Sequence, residues 1–110
     1  MVDVQEGFEL MKKYFKPEVA KEFKKKVAVQ YNIKGPGGGT WQVIFDSGNM
    51  DIVEGEKENA ILKFNYDAVE SFIGIQKGEI DGIQAYTMGK LQIEGPIPLA
   101  QKLADIFKRE

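Results

Sequence analysis

The sequence predicts an α+β fold, a five-stranded, mainly antiparallel sheet covered on one face by about five helices. Three observations carry this. Apolar residues recur with a period of two through the middle of the chain, and with helical spacing at both ends. Glycine-rich punctuation falls between the period-two runs, so consecutive strands are joined by turns and pair antiparallel. The strands also keep a clean polar face, which leaves the helices only the other side to cover.

The first helix starts at Asp3, which with Glu6 three residues on reads as a capping box. Val4, Phe8, Met11 and Phe15 follow on one face, with Glu6 and Glu9 early and Lys12, Lys13 and Lys16 late, as the helix dipole prefers. Pro17 restarts the chain as a second short helix burying Val19, Ala20 and Phe23. From Val27 the period becomes two, with Val27, Val29, Tyr31 and Ile33 pointing one way. Gly35-Pro36-Gly37-Gly38-Gly39 is a turn into a second strand carrying Trp41, Val43 and Phe45. Ser47-Gly48-Asn49 turns again into Met50 to Val53, and after the acidic loop from Glu54 to Asn59 a fourth strand carries Ala60, Leu62 and Phe64. Asn65 is the expected cap of a third helix with Val69, Phe72 and Ile73 on one face and Gly78 as its left-handed stop. Asp81 opens a short fourth helix with Ile83 and Tyr86 inward. Leu91 and Ile93 alternate with charges in a fifth strand, and Leu99, Leu103, Ile106 and Phe107 form the oily stripe of a last helix. No repeat, linker or internal boundary interrupts the pattern, so 1–110 reads as a single domain.

Composition narrows the chemistry. The chain has 110 residues, 43% apolar and 29% charged, without cysteine or histidine. Disulfides, thiolate catalysis, the commonest general base and the commonest zinc ligand are therefore all missing. No apolar run approaches the ~18 residues of a membrane span, and Asp3 and Glu6 stand where a secretory signal would be basic and then apolar, so the expected location is cytoplasmic. Net charge is −2, with eight lysines against five carboxylates in the first 34 residues. Lys24-Lys25-Lys26 is too short and too poor in aromatics to mark a nucleic-acid partner. It leaves transient contact with an anionic membrane surface as the functional reading beside a solvated strand start.

Two glycine motifs and an acidic cluster invite sharper readings. A phosphate loop needs a helix directly after it and a lysine followed by serine or threonine, but strands follow both Gly39 and Lys90, and Leu91 takes the hydroxyl position. Both are corners. Asp46, Asp51, Glu54, Glu56 and Glu58 lack the twelve-residue spacing of a calcium loop and read as a solvated, charged hairpin end. No metal or cofactor is expected.

One arrangement of residues goes further. The glycine-rich turn into Gly39-Thr40-Trp41 is followed by a helix ending at Gly78. Ala85-Tyr86, Gly89-Lys90-Leu91 and Gly95 come next, each at fixed spacing. Over about Phe8 to Phe107 this resembles the sterol carrier protein type 2 family, in its stand-alone, prokaryotic-like form. The resemblance implies a twisted five-stranded sheet with helices on one face and an apolar tunnel between them for a fatty acid, acyl-CoA, sterol or isoprenoid-like ligand. It implies a carrier and no enzyme. On that basis the tunnel walls are expected from Trp41, Phe72, Ile73, Ile83, Tyr86, Leu99, Leu103, Ile106 and Phe107, with the last helix closing one end. The chain departs from better-known members in ending at Lys108-Arg109-Glu110 without their peroxisomal tripeptide, and in the Pro96-Ile97-Pro98 segment, which stiffens entry into the last helix. The alternative is an accessory protein-interaction module of the same fold whose tunnel has collapsed and which regulates or supplies a lipid-metabolising enzyme.

Overall fold

The computed structural model describes residues 3–107. In chain order the elements are α1 (Val4–Tyr14), α2 (Pro17–Ala20), β1 (Val27–Ile33), β2 (Gly39–Asp46), β3 (Asn49–Glu54), β4 (Leu62–Tyr66), α3 (Val69–Lys77), α4 (Gly82–Thr87), β5 (Leu91–Glu94) and α5 (Ile97–Ile106). The strands form one sheet in the order β3-β2-β1-β4-β5. No helix among the described residues is long and apolar enough to cross a membrane.

The sheet is mixed. β1 pairs antiparallel with β2, β2 with β3, and β4 with β5, but β1 and β4 run parallel, with Tyr31 opposite Phe64 and Ile33 opposite Tyr66. The sheet is thus mainly antiparallel, as expected, with one parallel pair because β4 lands beside β1 and not beside β3. The segment 55–61 leaves β3 at one edge, crosses the polar face of the sheet and delivers β4 to the far side of β1. Gly55 N–H donates to the Thr40 carbonyl at 2.8 Å and Ile61 N–H to the Ala28 carbonyl at 3.1 Å, pinning both ends of the crossing. Between them the buried Gln42 amide bonds Lys57 and Glu58. The acidic loop is thus partly the cover of the sheet's back. On that face a polar ladder links Gln42 to Gln30, Gln30 to Asn32, Asn32 to Asn65 and Asn65 to Glu94. Satisfied polar pairs fix the register of neighbouring strands without an apolar face there.

The opposite face carries the core. Val29, Tyr31, Val43, Phe45, Leu62, Phe64 and Tyr66 point to the helices and are buried with Phe8 and Met11 of α1, Phe72 and Ile73 of α3, and Leu103 and Ile106 of α5. Alternation made the strand positions other than Tyr66 legible, because in a strand every second side chain shares a face. Asp3 caps α1, its carboxylate accepting from Gln5 N–H at 3.0 Å, but Glu6 turns to Lys77 on α3 at 2.7 Å instead of completing a capping box. Asn65 is no helix cap. It lies in β4, and α3 begins after Ala68, whose side chain makes no capping bond. Gly78 ends α3 in the left-handed region at φ 80°, its N–H turned back to the Gly74 and Ile75 carbonyls. In the turn before β2 a side chain at Gly38 is impossible, since its Cβ would lie 2.1 Å from the Ile33 carbonyl oxygen.

Candidate functional site

A cavity of about 600 Å³ lies between the sheet and the later helices. Its floor is Tyr31 of β1, Phe64 and Tyr66 of β4, and Leu91 and Ile93 of β5. Those residues are neighbours because Tyr31 pairs with Phe64, Phe64 with Ile93 and Tyr66 with Leu91, so three strands place one layer of large side chains side by side. The C-terminal end of α3 contributes Ile75 and Gln76, α4 contributes Gly82, Ile83 and Tyr86, and α5 contributes Ile97, Ala100, Leu103 and Ala104, with Phe107 just beyond its end. Space survives here because α4 is short and anchored by one buried side chain, Ala85, while α1 is drawn to the other half of the sheet by Phe8. An alanine anchor lets α4 reach β5 without filling the gap in front of it.

The cavity opens to solvent between α4 and α5, where lining residues of both helices are exposed. Ile83 is 77% exposed, Tyr86 50% and Ile97 45%, with Met88 at 67% close by in sequence. Sequence reasoning placed Ile83 and Tyr86 on the buried side of α4. They instead face the mouth, and Ala85 is the residue α4 buries. The far end of α5 is held firmly. Lys16 N–H donates to the Ile106 carbonyl at 3.0 Å, Lys102 pairs with Glu22, and the Phe107 ring sits 6.2 Å from Phe15 and 6.1 Å from Phe45. Pro96 and Pro98 flank the first residue of the helix, where the missing N–H groups cost nothing.

Of the residues named from the sequence, Ile83, Tyr86, Leu103 and Phe107 line this cavity. Trp41, Phe72, Ile73, Leu99 and Ile106 do not border it. Trp41 and Phe72 pack on Phe8, with ring centroids 5.4 and 4.9 Å away, in an aromatic cluster behind the floor. Ile73 and Ile106 are fully enclosed core, and Leu99 packs against the core's edge. The floor residues Tyr31, Phe64, Leu91 and Ile93 were visible only as an inward-facing alternation, and Tyr66 was missed because Asn65 before it was read as a helix cap. What distinguishes them is that the helices above stand off from part of their surface, which no local pattern encodes.

Polar groups at the cavity are few. Asp81 and Asp105 are the charged residues among the described lining, joined by Gln76 and Gln101. Tyr31 and Tyr66 sit in the floor with their rings stacked, 6.1 Å between centroids and 9° between planes. Burial pushes both phenols well above their ordinary value, and the neighbouring Tyr31 adds to the effect on Tyr66, so both keep their protons. Chemically, the arrangement is an apolar container with two fixed hydroxyl donors inside and carboxylates among its lining.

Comparisons with known proteins bear on the fold that holds this cavity. The profile of the SCP-2 sterol transfer family matches residues 8–108. Hydroxysteroid dehydrogenase-like protein 2 of Rattus norvegicus is 30% identical over 104 residues, 94% of this chain but only 20% of the relative; the chain thus spans about a fifth of the length of that curated protein. Among solved structures, sterol carrier protein domain 2 of Helicoverpa armigera superposes with a TM-score of 0.71 at 19% identity, covering 94% of this chain and 86% of that one. Sterol Carrier Protein-2 of Aedes aegypti, solved in complex with the C16 fatty acid palmitate, superposes with a TM-score of 0.65 at 15% identity, covering 94% of each chain.

Proposed function

Given that this chain belongs to the SCP-2 sterol transfer family, we propose that it is a non-catalytic lipid carrier, residues 1–110 acting as one unit that holds a single lipid in the cavity above Tyr31, Phe64, Tyr66, Leu91 and Ile93. The observation that carries this is the cavity itself. Its volume of about 600 Å³ falls within the range of roughly 300–1,000 Å³ usual for small-molecule sites, and its lining is predominantly aliphatic and aromatic. The palmitate complex of the Aedes aegypti neighbour supports a ligand with a long apolar body.

The driving force is removal of that body from water, about 0.8 kcal/mol per buried methylene, much of it offset by the freedom the ligand loses. Exchange with a membrane compares two apolar environments, so the net preference is small and the lipid can leave as readily as it enters. The exposed Ile83, Tyr86 and Ile97 give a wetted apolar rim over which a chain can slide, and α4 with the proline-flanked start of α5 is the movable side. The opposite end of α5 stays tied by Ile106, Lys102 and Phe107. No nucleic acid is needed as a partner; transient membrane contact at the rim is. An interaction module with a collapsed interior is the less supported reading, because side chains that would fill a collapsed tunnel stand apart around open volume.

Native mass spectrometry of gently purified protein, with solvent extraction of any released mass, tests the reading. One lipid per chain is the expected result. A chain that carries none and takes up none when challenged with fatty acid, fatty alcohol and sterol would overturn it.

A further inference from the structure

The two tyrosines in the cavity floor are unlike the rest of its lining. Tyr31 and Tyr66 are each 3% exposed. Every fully occluded side-chain nitrogen and oxygen among the described residues has a hydrogen-bond partner, yet neither phenol O–H bonds another described residue. Each hydroxyl oxygen therefore keeps contact with open space, and the open space that both residues border is the cavity. The two hydroxyls border the cavity side by side on adjacent parallel strands, with Tyr31 diagonal to Tyr66 on one face of the sheet, so each is free to donate to whatever fills the space.

The charged residues at the exposed edge of the described lining have one sign. Asp81 and Asp105 line the cavity, and no lysine or arginine is among the described residues that do. An anionic headgroup drawn down to the phenols would lose its hydration, with no lysine or arginine among the described lining residues to replace it, and would pass two carboxylates exposed at the cavity's edge. A neutral oxygen meets no such penalty. The phenols hold their protons throughout the physiological range, so they remain donors.

Resting on the carrier reading, we infer that the Tyr31–Tyr66 pair is an anchoring site that donates hydrogen bonds to an oxygen of the bound lipid, and that this cavity selects an uncharged, oxygen-bearing lipid such as a fatty alcohol or sterol over a fatty-acid anion. The apolar body then lies over Phe64, Leu91 and Ile93 toward the mouth, and the oxygen end is the one that enters first.

Displacement of the hydrocarbon probe diphenylhexatriene by dodecanol and by dodecanoate at neutral pH tests this on the full chain. Dodecanol should displace the probe at about tenfold lower concentration than dodecanoate, and Y31F/Y66F should weaken dodecanol binding about tenfold, the worth of two modest hydrogen bonds, once the probe's own affinity for each protein is measured and used to convert displacement into affinity. Thermal unfolding confirms that the variant folds; should the double variant fail, Y31F and Y66F separately should each weaken dodecanol about threefold. Equal dodecanol affinity in wild type and folded variants, or tighter binding of dodecanoate than of dodecanol, would overturn the anchor. If the wild type takes up neither the probe nor, by native mass spectrometry, any lipid, the carrier reading falls and the anchor falls with it.

Discussion

Gln42 holds Glu58 by both its backbone N–H and its carbonyl. The Gln42 Nε2 donates to the Glu58 carbonyl at 2.9 Å while its Oε1 accepts from the Glu58 N–H at 2.9 Å, and the same oxygen accepts from Lys57 N–H. Gln42 is 0% exposed and also bonds Gln30 across the sheet. One side chain thus fastens the crossing segment that makes β1 and β4 parallel.

Gln42→Ala leaves those backbone groups unpartnered beneath the segment, at a cost of about 1–3 kcal/mol for each group that water cannot reach. Chemical denaturation should show a loss of about 2–4 kcal/mol, and hydrogen exchange should accelerate across residues 55–61 before any other region. Lipid uptake by the folded fraction should stay unchanged, because the cavity lies on the other face of the sheet.

Gly7 of α1 lies against Phe72 of α3, and a Cβ there would stand 2.4 Å from the ring's Cε2. Phe72 is fully buried and its ring is wedged among Phe8, Tyr31 and Tyr66, so it has little room to yield. Gly7→Ala gains about 0.5–1 kcal/mol of helix preference and loses about 1–3 kcal/mol to overpacking. A net destabilisation of about 1 kcal/mol is expected in denaturant titration; a rise in stability would show that α1 and α3 separate more easily than their packing implies.

Two substitutions at the cavity separate function from stability. Ile83→Asp alters a residue exposed at the rim, so its stability should stay within about 0.5 kcal/mol of wild type. Losing that apolar contact should weaken lipid uptake roughly threefold to tenfold, which fluorescent-probe titration reads directly. Ala100→Phe does the reverse: an aromatic side chain on α5 occupies part of the open volume, and ligand capacity should fall while the thermal midpoint holds or rises.

Alkaline pH should destabilise the fold through the floor tyrosines. Both phenols are raised in the folded state above their ordinary value near 10, so their contribution is intact below that value. It is lost as pH rises beyond it, because the unfolded chain releases those protons first. Stability measured by denaturant titration should therefore decline from about pH 10 upward, and the decline should be shallower in Y31F/Y66F. Parallel curves for the two proteins would show that the phenols do not carry the dependence.

The order of elements, the inward faces of the strands and the oily stripe of α5 were legible because each is written in local periodicity. Val29, Tyr31 and Ile33 announce a face by alternation alone, and Leu103 and Ile106 do so by helical spacing. Gly78 announced its own φ, since few other residues take that conformation freely. The misread features depended on partners distant in sequence. Asn65 looked like a helix cap because asparagine caps helices, but its side chain had Asn32 and Glu94 to bond on either flank of β4.

What the sequence determined by itself was therefore the set of elements and the side each presents to the core, since repeating backbone geometry maps spacing directly onto direction. The tertiary structure decided which apolar residues touch each other and which face open volume. Phe72 and Tyr86 look alike as a pattern, yet one fills the space beside Phe8 and the other stands at a mouth, because α1 covers the sheet beneath the first and nothing covers the second. A void is a property of how far apart packed elements are held, and that distance is set by the small contacts at their anchors, here Ala85 under α4 and Ile106 under α5, rather than by the residues that line the space between them.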